Sequence, residues 1–446
     1  MLIEQTERRC RNCGGKLSRY NPEILCWSCQ KEKHMAVTGT VAPPSLFPFP
    51  QYQSAFMLRS ILDTVRRSKP IQLSDVGQTL KYYRHLHQLT QRDLAALLGF
   101  NQSYISKLEN GQGLREIATI KHIANTLCIP GYRLGLDTDN LSHESGSEII
   151  EIAPSLIRLS QTVRETGRAD AAINELWPLH LRLETLASQE PENIRLLLTL
   201  ASAQATLGVI LGDLLPEEDL WISVHFFKKA ISIAEAHGNN MMKAEVYRGC
   251  GNELRKHKQY IEALSYLEKA FSHSPDDLTR GQTAALLART YGEMRDKENF
   301  NDVMASVLHA QDKLTYFSPT FNPVTIREVH IRGLLNLEQL NDIPSLLERD
   351  SSAVLSVSVA PQWQVISQIT IAEAQFHSNK VDAGLTYLKA SLIGAQLCKL
   401  PHQIQRAIRT LQKVEAYEPA KSLGYEAKTL LDGLMQHTYR LPTSQE

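Results

Sequence analysis

The sequence predicts an all-α protein in which a compact helical domain is followed by an α-solenoid of stacked hairpins, with a small four-cysteine ribbon at the front. Three observations predict this architecture. The segment from Gln91 to Gly111 has the spacing of two short helices joined by a tight turn. A triplet of small and large apolar residues recurs about every forty residues in the second half. Four of the seven cysteines fall within the first thirty residues.

The two-helix segment reads QRDLAALLGFNQSYISKLENG. Gly99 can take the positive φ that the turn between the helices requires. Thr90 can cap the first helix in a capping-box arrangement with Asp93, and Asn101 can cap the second. The residues expected to form the apolar seam between the helices are Leu94, Ala95, Leu98, Ile105 and Leu108.

These positions and both caps resemble the helix-turn-helix of the lambda-repressor-like, xenobiotic-response-element family of DNA-binding proteins. The resemblance extends from Ser74 to about Leu136. Before the pair lies a first helix, whose Arg84 stands where the family usually carries arginine, and after it lie a fourth helix and a short fifth. The resemblance implies a five-helix domain at residues 71–138 that binds double-stranded DNA. The structural alternative is a helical hairpin that does not contact DNA.

In that family, the second helix of the pair lies in the major groove and presents its N-terminal residues to base edges. Here Gln102 can bridge adenine and Lys107 can reach guanine acceptors. Gln91 and Arg92, at the start of the preceding helix, are candidates for phosphate contacts. Any of these polar residues could instead be solvated surface. The candidate DNA-binding residues are Gln91, Arg92, Asn101, Gln102, Ser103, Tyr104, Ser106 and Lys107.

The charge of the chain is distributed unevenly. The formal net charge is zero, but residues 1–135 hold 18 Lys and Arg against 9 Asp and Glu, so the remaining residues carry the opposite charge. A basic front is the asymmetry expected when that part alone meets phosphate. Since no run of eighteen apolar residues occurs and the N-terminus lacks a signal-peptide core, we expect a cytoplasmic, nucleoid-associated protein without a membrane span.

The N-terminal cysteines are spaced C-x2-C-x12-C-x2-C. Two such pairs on two turns can converge on one tetrahedral ion, and four thiolates match the preference of zinc for sulfur. Disulfides would need an oxidising compartment, and redox chemistry normally uses one pair. We therefore predict one structural zinc per chain in a ribbon at residues 1–34. The ligands are expected to be Cys10, Cys13, Cys26 and Cys29.

The connections between domains are predicted from composition. Residues 35–54 are rich in proline and almost free of charge, which predicts an extended linker. A connecting helix is expected at 55–70, followed by the helix-turn-helix domain. A second linker is expected at 139–154, before a repeat domain at 155–438.

The repeat domain is predicted from a period of forty residues. Large apolar residues recur at Phe227, Leu267, Val307, Leu347 and Tyr387. The residue four positions before each of them is small or apolar. The residue three positions after is alanine in four of the five repeats. A triplet at i, i+4 and i+7 lies on one helix face, and its repetition predicts stacked helical hairpins. The residues three positions after the large ones are Ala230, Ala270, Ala310, Asp350 and Ala390.

One hairpin, from Ala244 to Pro275, resembles the tetratricopeptide repeat through Gly251, Tyr260, Ala263, Leu267 and Ala270. The other hairpins match more loosely, and a generic helical bundle is the alternative. The order of a four-cysteine ribbon, a lambda-repressor-like domain and a tetratricopeptide-like tail resembles regulators of filamentous and related bacteria. The tail also resembles those of bacterial regulators that sense small peptides.

In tetratricopeptide arrays, the first helix of each hairpin lines the inner surface. The resemblance implies that Arg248 and Asn252 face that surface, where arginine can grip a carboxylate and asparagine can bond a peptide backbone. A peptide or small-molecule effector is therefore expected there, although each residue alone could be solvated. The candidate effector-binding residues are Arg248, Asn252, Arg255, Arg295, Glu328 and Arg332.

Two functions from different classes follow. The first is a sequence-specific transcriptional regulator whose repeat domain dimerises, senses an effector, or both; a homodimer is expected because one such domain touches too few base pairs to be selective. The second is an interaction scaffold that uses the helix-turn-helix as a DNA tether. An enzyme is not expected, because the HExxH, GxxxxGK[ST] and GxSxG motifs do not occur.

Overall fold

The structure is a computed structural model that describes residues 9, 11–12, 49–66, 76–112, 116–129, 131–134, 136, 143–348 and 359–438. Within these residues the chain forms nineteen α-helices and a few short 3-10 turns. Apart from isolated bridges such as Ser318–Phe321, no strand occurs in the described part. The prediction of an all-α protein is confirmed.

The first five helices comprise a connecting helix, α1, and the helix-turn-helix domain (residues 76–134). This domain has four α-helices, α2–α5, and one 3-10 turn where a fifth helix was expected. Cys128, with φ of 52°, ends α5 in the left-handed conformation, and the four residues of the turn are too few for helical i→i+4 bonds. The bounds are α1 Phe49–Arg66, α2 Val76–Leu86, α3 Gln91–Leu98, α4 Gln102–Glu109, α5 Ile117–Leu127 and the turn Gly131–Leu134.

The remaining helices form the repeat domain (residues 143–438), in which they pair into hairpins. The bounds are α6 His143–Glu165, α7 Ala169–Gln189, α8 Ile194–Leu214, α9 Trp221–His237, α10 Asn240–Lys256, α11 Tyr260–His273, α12 Asp277–Glu293, α13 Lys297–Lys313, α14 Pro323–Asn336, α15 Ile343–Glu348, α16 Pro361–His377, α17 Val381–Leu397, α18 Pro401–Gln412 and α19 Glu418–Thr438. A 3-10 turn, Glu217–Asp219, joins α8 to α9.

The hairpins stack into two layers. The even-numbered helices from α6 to α18 contact one another in sequence and form the inner layer, while the odd-numbered helices pack outside them. The last inner helix, α18, also contacts α8 and the turn Glu217–Asp219. The helical solenoid therefore closes on itself, and its inner layer encloses cavities.

The recurring large residues of the forty-residue period lie on successive outer helices. Phe227, Leu267 and Val307 are buried, as a packing triplet requires. In α17 the prediction is wrong by one residue, because Tyr387 is 39% exposed while Leu388 is buried. The cause is an uneven repeat. The left-handed residues that end four inner helices are 37, 43 and 41 residues apart: Lys258, Arg295, Glu338 and Asn379.

Two predicted linkers are partly helical. Helix α1 begins at Phe49, inside the expected linker 35–54, and α6 begins at His143, inside the expected linker 139–154. Both segments are helical because each has an apolar face to bury, with Leu58 and Ile61 in α1 and Ala153 in α6 fully enclosed. Residues from Pro50 onward cluster into one compact unit.

Helix α1 packs against the helix-turn-helix domain. The ring of Phe56 stacks on His87 with centroids 4.2 Å apart. The guanidinium of Arg59 donates a hydrogen bond of 2.7 Å to the His87 carbonyl, and the Tyr82 hydroxyl donates one of 2.6 Å to Asp63. These contacts fix α1 to the helix-turn-helix domain.

The same helix also contacts the repeat domain. The side chain of Asn174 in α7 donates to the Ser54 hydroxyl at 3.2 Å. At the other end of α1, Arg66 forms an ion pair with Asp219, with Nη2 and Oδ1 2.5 Å apart. One hydrophobic core runs from α1 through the helix-turn-helix domain to α9. Helix α1 is therefore a physical connection between the two domains.

Helix α8, Ile194–Leu214, is the one helix in the described part whose length and composition would suit a membrane span. Its most apolar window is 61% buried among the neighbouring helices. That burial is the pattern of a core helix, which passes the same test of length and composition.

Candidate DNA interface and interior cavities

The helix-turn-helix geometry follows from local side-chain chemistry. Thr90 caps α3 in a capping box with Asp93, and Gly99 ends that helix with φ of 72°. The Asn101 side chain caps α4 by accepting a hydrogen bond of 2.7 Å from the amide of Tyr104. Both caps and the left-handed glycine are confirmed. The expected seam residues are all buried: Leu94, Ala95, Leu98, Ile105 and Leu108.

A buried ion pair holds the first and the recognition helices together. The Arg84 guanidinium meets the Glu109 carboxylate through two contacts, Nε–Oε1 at 2.6 Å and Nη2–Oε2 at 3.1 Å. Its Nη1 donates to the Leu89 carbonyl at 3.0 Å. Burial opposes ionisation of Glu109, but the hydrogen bonds from Arg84 and Gln91 outweigh it and keep the pKa of this carboxyl below its usual value. The sequence pointed to Arg84 but not to its partner.

Gln91, a candidate for phosphate contact, is also part of this arrangement. Its side-chain amide donates a hydrogen bond of 2.8 Å to Glu109, so the side chain ties α3 to α4. Arg92, beside it, is exposed. Of the two phosphate candidates, Arg92 is the one with a side chain directed to solvent.

Helix α4 presents a polar surface. Gln102, Ser103 and Lys107 are exposed, and Ser106 is half-buried. Tyr104 is half-buried because its ring packs edge-on against Phe100, with centroids 5.0 Å apart. Asn101 is exposed, although its carboxamide oxygen is used by the cap. The exposed set is suited to reach base edges, because a helix in the major groove presents its N-terminal side chains there.

The expected zinc ligands, Cys10, Cys13, Cys26 and Cys29, lie outside the described residues. Within the part of the chain that the structure describes, no group of three or more His, Cys, Asp or Glu side chains is arranged to hold a metal ion.

Two of the effector candidates, Arg248 and Asn252, line a cavity of about 320 Å³ on the inner face of the repeat domain. We call it the concave cavity. Its wall also includes Glu245, Phe227 and Trp363. The Nη1 atom of Arg248 is buried and finds no hydrogen-bond partner among the described residues, and burial lowers the pKa of this guanidinium. A ligand carboxylate would supply the missing acceptor.

Two other candidates, Glu328 and Arg332, lie in a buried charge cluster. The carboxylate of Glu328 is fully buried, and arginine nitrogens lie 3.2 Å away for Arg289, 3.4 Å for Arg332 and 3.9 Å for Arg406. The Thr370 hydroxyl donates to it at 2.7 Å. Burial would raise the pKa of Glu328, but the arginines outweigh it and lower the value to about 2. Glu328 is therefore the anion of this cluster, enclosed rather than open to a ligand.

The remaining candidates divide between the inside and the outside of the repeat domain. Arg255 is buried and pairs with Glu293 at 2.7 Å. Arg295 was expected on the inner face, but it lies on the turn after α12, where it is 70% exposed and contacts Glu338. The repeat from α10 to α12 is 37 residues long. Counting forty residues on from Arg255 therefore passes the end of α12 and reaches Arg295.

The observed spacing identifies residues that the forty-residue register missed. Each of four successive inner helices is followed by a left-handed residue (Lys258, Arg295, Glu338 or Asn379). The residue six positions before it is polar and lies on the inner face. Arg289 is the member in α12, and its guanidinium lies over the Trp363 ring, 5.1 Å from the centroid. The four residues at this position are Asn252, Arg289, Arg332 and Glu373.

Comparison with known sequences supports the assignment of the first domain. The profile of the family described as "Helix-turn-helix domain" matches residues 75–134. The chain is also similar to the uncharacterized HTH-type transcriptional regulator RghRB of Bacillus subtilis (strain 168), with 30% identity over 138 residues. These residues are 30% of this chain and 95% of the relative. The similarity therefore spans almost the whole relative and leaves most of this chain outside it.

Proposed function

Since the chain belongs to the family of helix-turn-helix transcriptional regulators, we propose that it binds a specific DNA sequence as a homodimer and that its repeat domain senses a small effector. The exposed polar residues of α4 carry base recognition, with Gln102 and Lys107 as the principal contacts. Arg92 contacts phosphate and sets the orientation of the domain on the duplex.

The observation that carries a regulatory function is the double attachment of α1. This helix contacts the helix-turn-helix domain through Arg59 and Asp63 and contacts the repeat domain through Arg66. A tether needs no such connection, because a flexible linker would suffice. A regulator does need it, because a change in the repeat domain must alter the position of the DNA-binding helices. The connection therefore favours a regulator over a scaffold.

Selection from a random duplex pool tests sequence-specific binding. At physiological salt, the full-length protein should enrich a discrete sequence with paired half-sites. A protein that only tethers would retain duplexes weakly, with a steep dependence on salt and no enriched sequence. Enrichment of no sequence would contradict the proposal.

An exposed apolar stripe on α6 supports the homodimer. This helix buries Ile150 and Ile157 in the common core and exposes Ile152, Leu156 and Leu159 to solvent. The three exposed residues are spaced i, i+4 and i+7, so they lie on one face. The stripe follows the DNA-binding domain in the chain, and pairing two such stripes would bring two domains to adjacent half-sites.

Replacing Leu156 by Glu tests this surface. Sedimentation should show the wild type as a dimer and Leu156→Glu as a monomer, with the footprint reduced to a single half-site. Ile261→Glu, at an exposed apolar position on α11, is the matched control and should remain dimeric. A wild-type protein that sediments as a monomer on its operator would contradict the homodimer.

The effector is proposed to bind in the concave cavity, at Arg248 and Asn252. Support comes from the buried Nη1 of Arg248, which lacks an acceptor among the described residues. Operator binding should change when extract from dense cultures is added to the wild type, and Arg248→Ala and Asn252→Ala should lose that change. Arg295→Ala, outside the cavity, is the control. If both cavity variants keep the full response, the effector binds elsewhere.

We also propose one structural zinc per chain at the N-terminal cysteines, on the basis of their spacing. Metal analysis of the purified protein should give one zinc per chain. Cys13→Ser should lose the metal, whereas Cys398→Ser, at a buried cysteine in the repeat domain, should keep it. Absence of metal from a wild-type protein with intact thiols would contradict the prediction.

A further inference from the structure

A second cavity, of about 270 Å³, lies where the inner helices α10 to α18 converge. We call it the arginine cavity. Seven lysine and arginine side chains line it, against three glutamates. The cations are Arg255, Lys256, Lys258, Arg289, Arg332, Arg406 and Arg409, and the glutamates are Glu217, Glu293 and Glu373.

The charges in this cavity do not balance. Glu328, behind the wall, adds a fourth carboxylate, so the cations exceed the carboxylates by three. Two charged residues just outside the lining contact it: Lys413 pairs with Glu373, and Glu253 pairs with Lys256. They add one cation and one carboxylate, so the excess of three positive charges is unchanged. Five of the seven cations are mostly enclosed, whereas Lys258 and Arg409 are 60% and 45% exposed. Enclosing cations beside too few carboxylates is costly, because burial removes the solvation of each ion.

Hydrogen bonding is incomplete at the same place. Arg255 and Arg289 are each 5% exposed, and the Nε atom of each finds no acceptor among the described residues. Buried donors are normally paired, so unpaired donors beside an excess of positive charge indicate a place for an anion.

The electrostatics of individual groups agree with this interpretation. Burial and the neighbouring Arg332 lower the pKa of Arg406 to about 9. Burial, together with Lys256 and Arg255, holds the pKa of His402 well below its usual value, so this histidine is neutral and adds no charge at neutral pH.

We propose that the arginine cavity binds a small, multiply charged anion that carries a di- or triphosphate group, with Arg255, Arg332 and Arg406 as the principal contacts. One phosphate group carries about −1.5 to −2 charges at pH 7, so two groups are needed to match an excess of three. Guanidinium groups suit phosphate oxygens because their planar fork donates two parallel hydrogen bonds. This ligand differs from the effector of the concave cavity in both position and charge.

The position of the cavity connects it to closure of the solenoid. Glu217, in the wall, accepts from Arg409 of α18 through two contacts of 3.0 and 2.5 Å. Its backbone amide donates to Gln405, also of α18, at 2.9 Å. Two residues further on, Asp219 holds Arg66 of α1. The short turn Glu217–Asp219 thus contacts both the cavity and the helix that supports the DNA-binding domain.

The regulatory part of the proposal follows from this turn, and it rests on the proposed function. An anion that draws Arg409 toward the cavity centre competes with Glu217 for that guanidinium. The turn would then shift, and the Asp219–Arg66 pair would transmit the shift to α1. Such coupling requires that the anion bind one arrangement of the turn more tightly than the other.

Calorimetry with pyrophosphate on the full-length protein tests binding. The wild type should bind one pyrophosphate per chain, and Arg332→Gln and Arg406→Gln should each weaken binding by about tenfold or more. Arg295→Gln, an exposed arginine of the same domain, should bind as the wild type does. Absence of saturable binding, or equal binding by all four proteins, would overturn the proposal.

Circular dichroism shows whether the interior variants are folded. If they are not, Arg409→Gln replaces them, because this side chain is 45% exposed and its loss should not unfold the domain. It should weaken pyrophosphate binding by roughly threefold or more. Parallel titration with ADP distinguishes the source of the phosphate groups: equal affinity indicates free pyrophosphate, and tighter binding indicates a nucleotide.

Operator binding with and without pyrophosphate tests the regulatory part. Pyrophosphate should change the operator affinity of the wild type by roughly fivefold or more. A random duplex is the control, because any effect on it measures competition between pyrophosphate and DNA for the same cations. Arg66→Gln should bind pyrophosphate normally but lose the change. If the wild type selects an operator but pyrophosphate has no effect on it, the coupling is wrong while the proposed function stands. If no operator is selected, the proposed function fails, and calorimetry still decides on the cavity.

Discussion

The helix-turn-helix domain and the repeat domain each bury arginine beside glutamate, but they do so differently. In the first, Arg84 and Glu109 form a matched pair with every guanidinium nitrogen in contact with an acceptor or a histidine. In the second, Glu328 is shared by three arginines, and Arg289 keeps an Nε without an acceptor in the described part. Similar chemistry thus produces one cluster whose charges match and one whose charges do not.

The difference separates a structural ion pair from a ligand site. A matched pair satisfies its own charges, so it can fix two helices without any further group. An unmatched cluster retains a net charge and unpaired donors, which an additional anion can satisfy. Charge balance, more than burial alone, therefore distinguishes the two roles in this protein.

The largest effect is expected from Glu328→Gln. Loss of this carboxylate leaves Arg289, Arg332 and Arg406 without their shared counter-ion, and we expect a loss of roughly 3–5 kcal/mol in the free energy of unfolding. Urea denaturation measures it, with the exposed Glu338→Gln as a control that should match the wild type. Pyrophosphate should restore part of the lost stability; a variant as stable as the wild type would show that Glu328 is not the essential counter-ion.

Glu109→Gln should cost about 3 kcal/mol, the lower end of the range for a broken buried pair. The loss is smaller because Arg84 keeps the Leu89 carbonyl as an acceptor. Pyrophosphate should not restore this variant, which contrasts with Glu328→Gln, and the exposed Glu116→Gln is the control. Equal rescue of both glutamate variants would remove the distinction between the two clusters.

Gln102→Ala should affect DNA recognition and leave stability unchanged, because the side chain is exposed. We expect a loss of roughly 1–3 kcal/mol against the selected operator and little against a random duplex. Arg92→Ala should weaken both duplexes alike, since phosphate contacts carry no sequence information. Fluorescence anisotropy with both duplexes measures these losses. Equal weakening by Gln102→Ala would place the recognition surface elsewhere.

A fall in pH should weaken the contact between α1 and the helix-turn-helix domain at His87. Burial lowers the pKa of His87 to about 3 in the folded protein, so the unfolded state takes up the proton first. The free energy of unfolding is therefore highest above about pH 6.5, where His87 is neutral in both states, and it falls as the pH drops toward 3. Between pH 7 and pH 5 the wild type should lose about 1–2 kcal/mol more than His87→Phe. Urea denaturation at both values measures the difference, and identical losses would mean that His87 is not buried as described.

Local features were predictable from the sequence. The caps at Thr90 and Asn101 and the left-handed Gly99 depend on residues within four positions of one another, so their chemistry can be read from the sequence. The burial of Phe227 and Leu267 was predictable for a similar reason, because helical spacing alone places them on a packed face.

Features that depend on tertiary structure were not predictable. Glu109 meets Arg84 across 25 positions, and no local pattern links the two. The arginine cavity draws on five inner helices, and its register could not be read because the repeat length varies. Arg295 was misplaced and Arg289 was missed for that reason. Likewise, α1 begins at Phe49 within a proline-rich stretch, because Pro50 stands in its first turn, where a helix tolerates proline.

The attachment of α1 at both ends has a consequence for protein synthesis. Arg66 and Asp219 are 153 positions apart, so α1 leaves the ribosome long before its second partner has been made. At roughly 5–20 residues per second, the interval is about 8–30 s. During that time the apolar face that contains Leu58 and Ile61 has only the helix-turn-helix domain to cover it. We therefore expect nascent chains that stop before Asp219 to bind chaperones more than full-length chains do, and to engage DNA before they can respond to any effector.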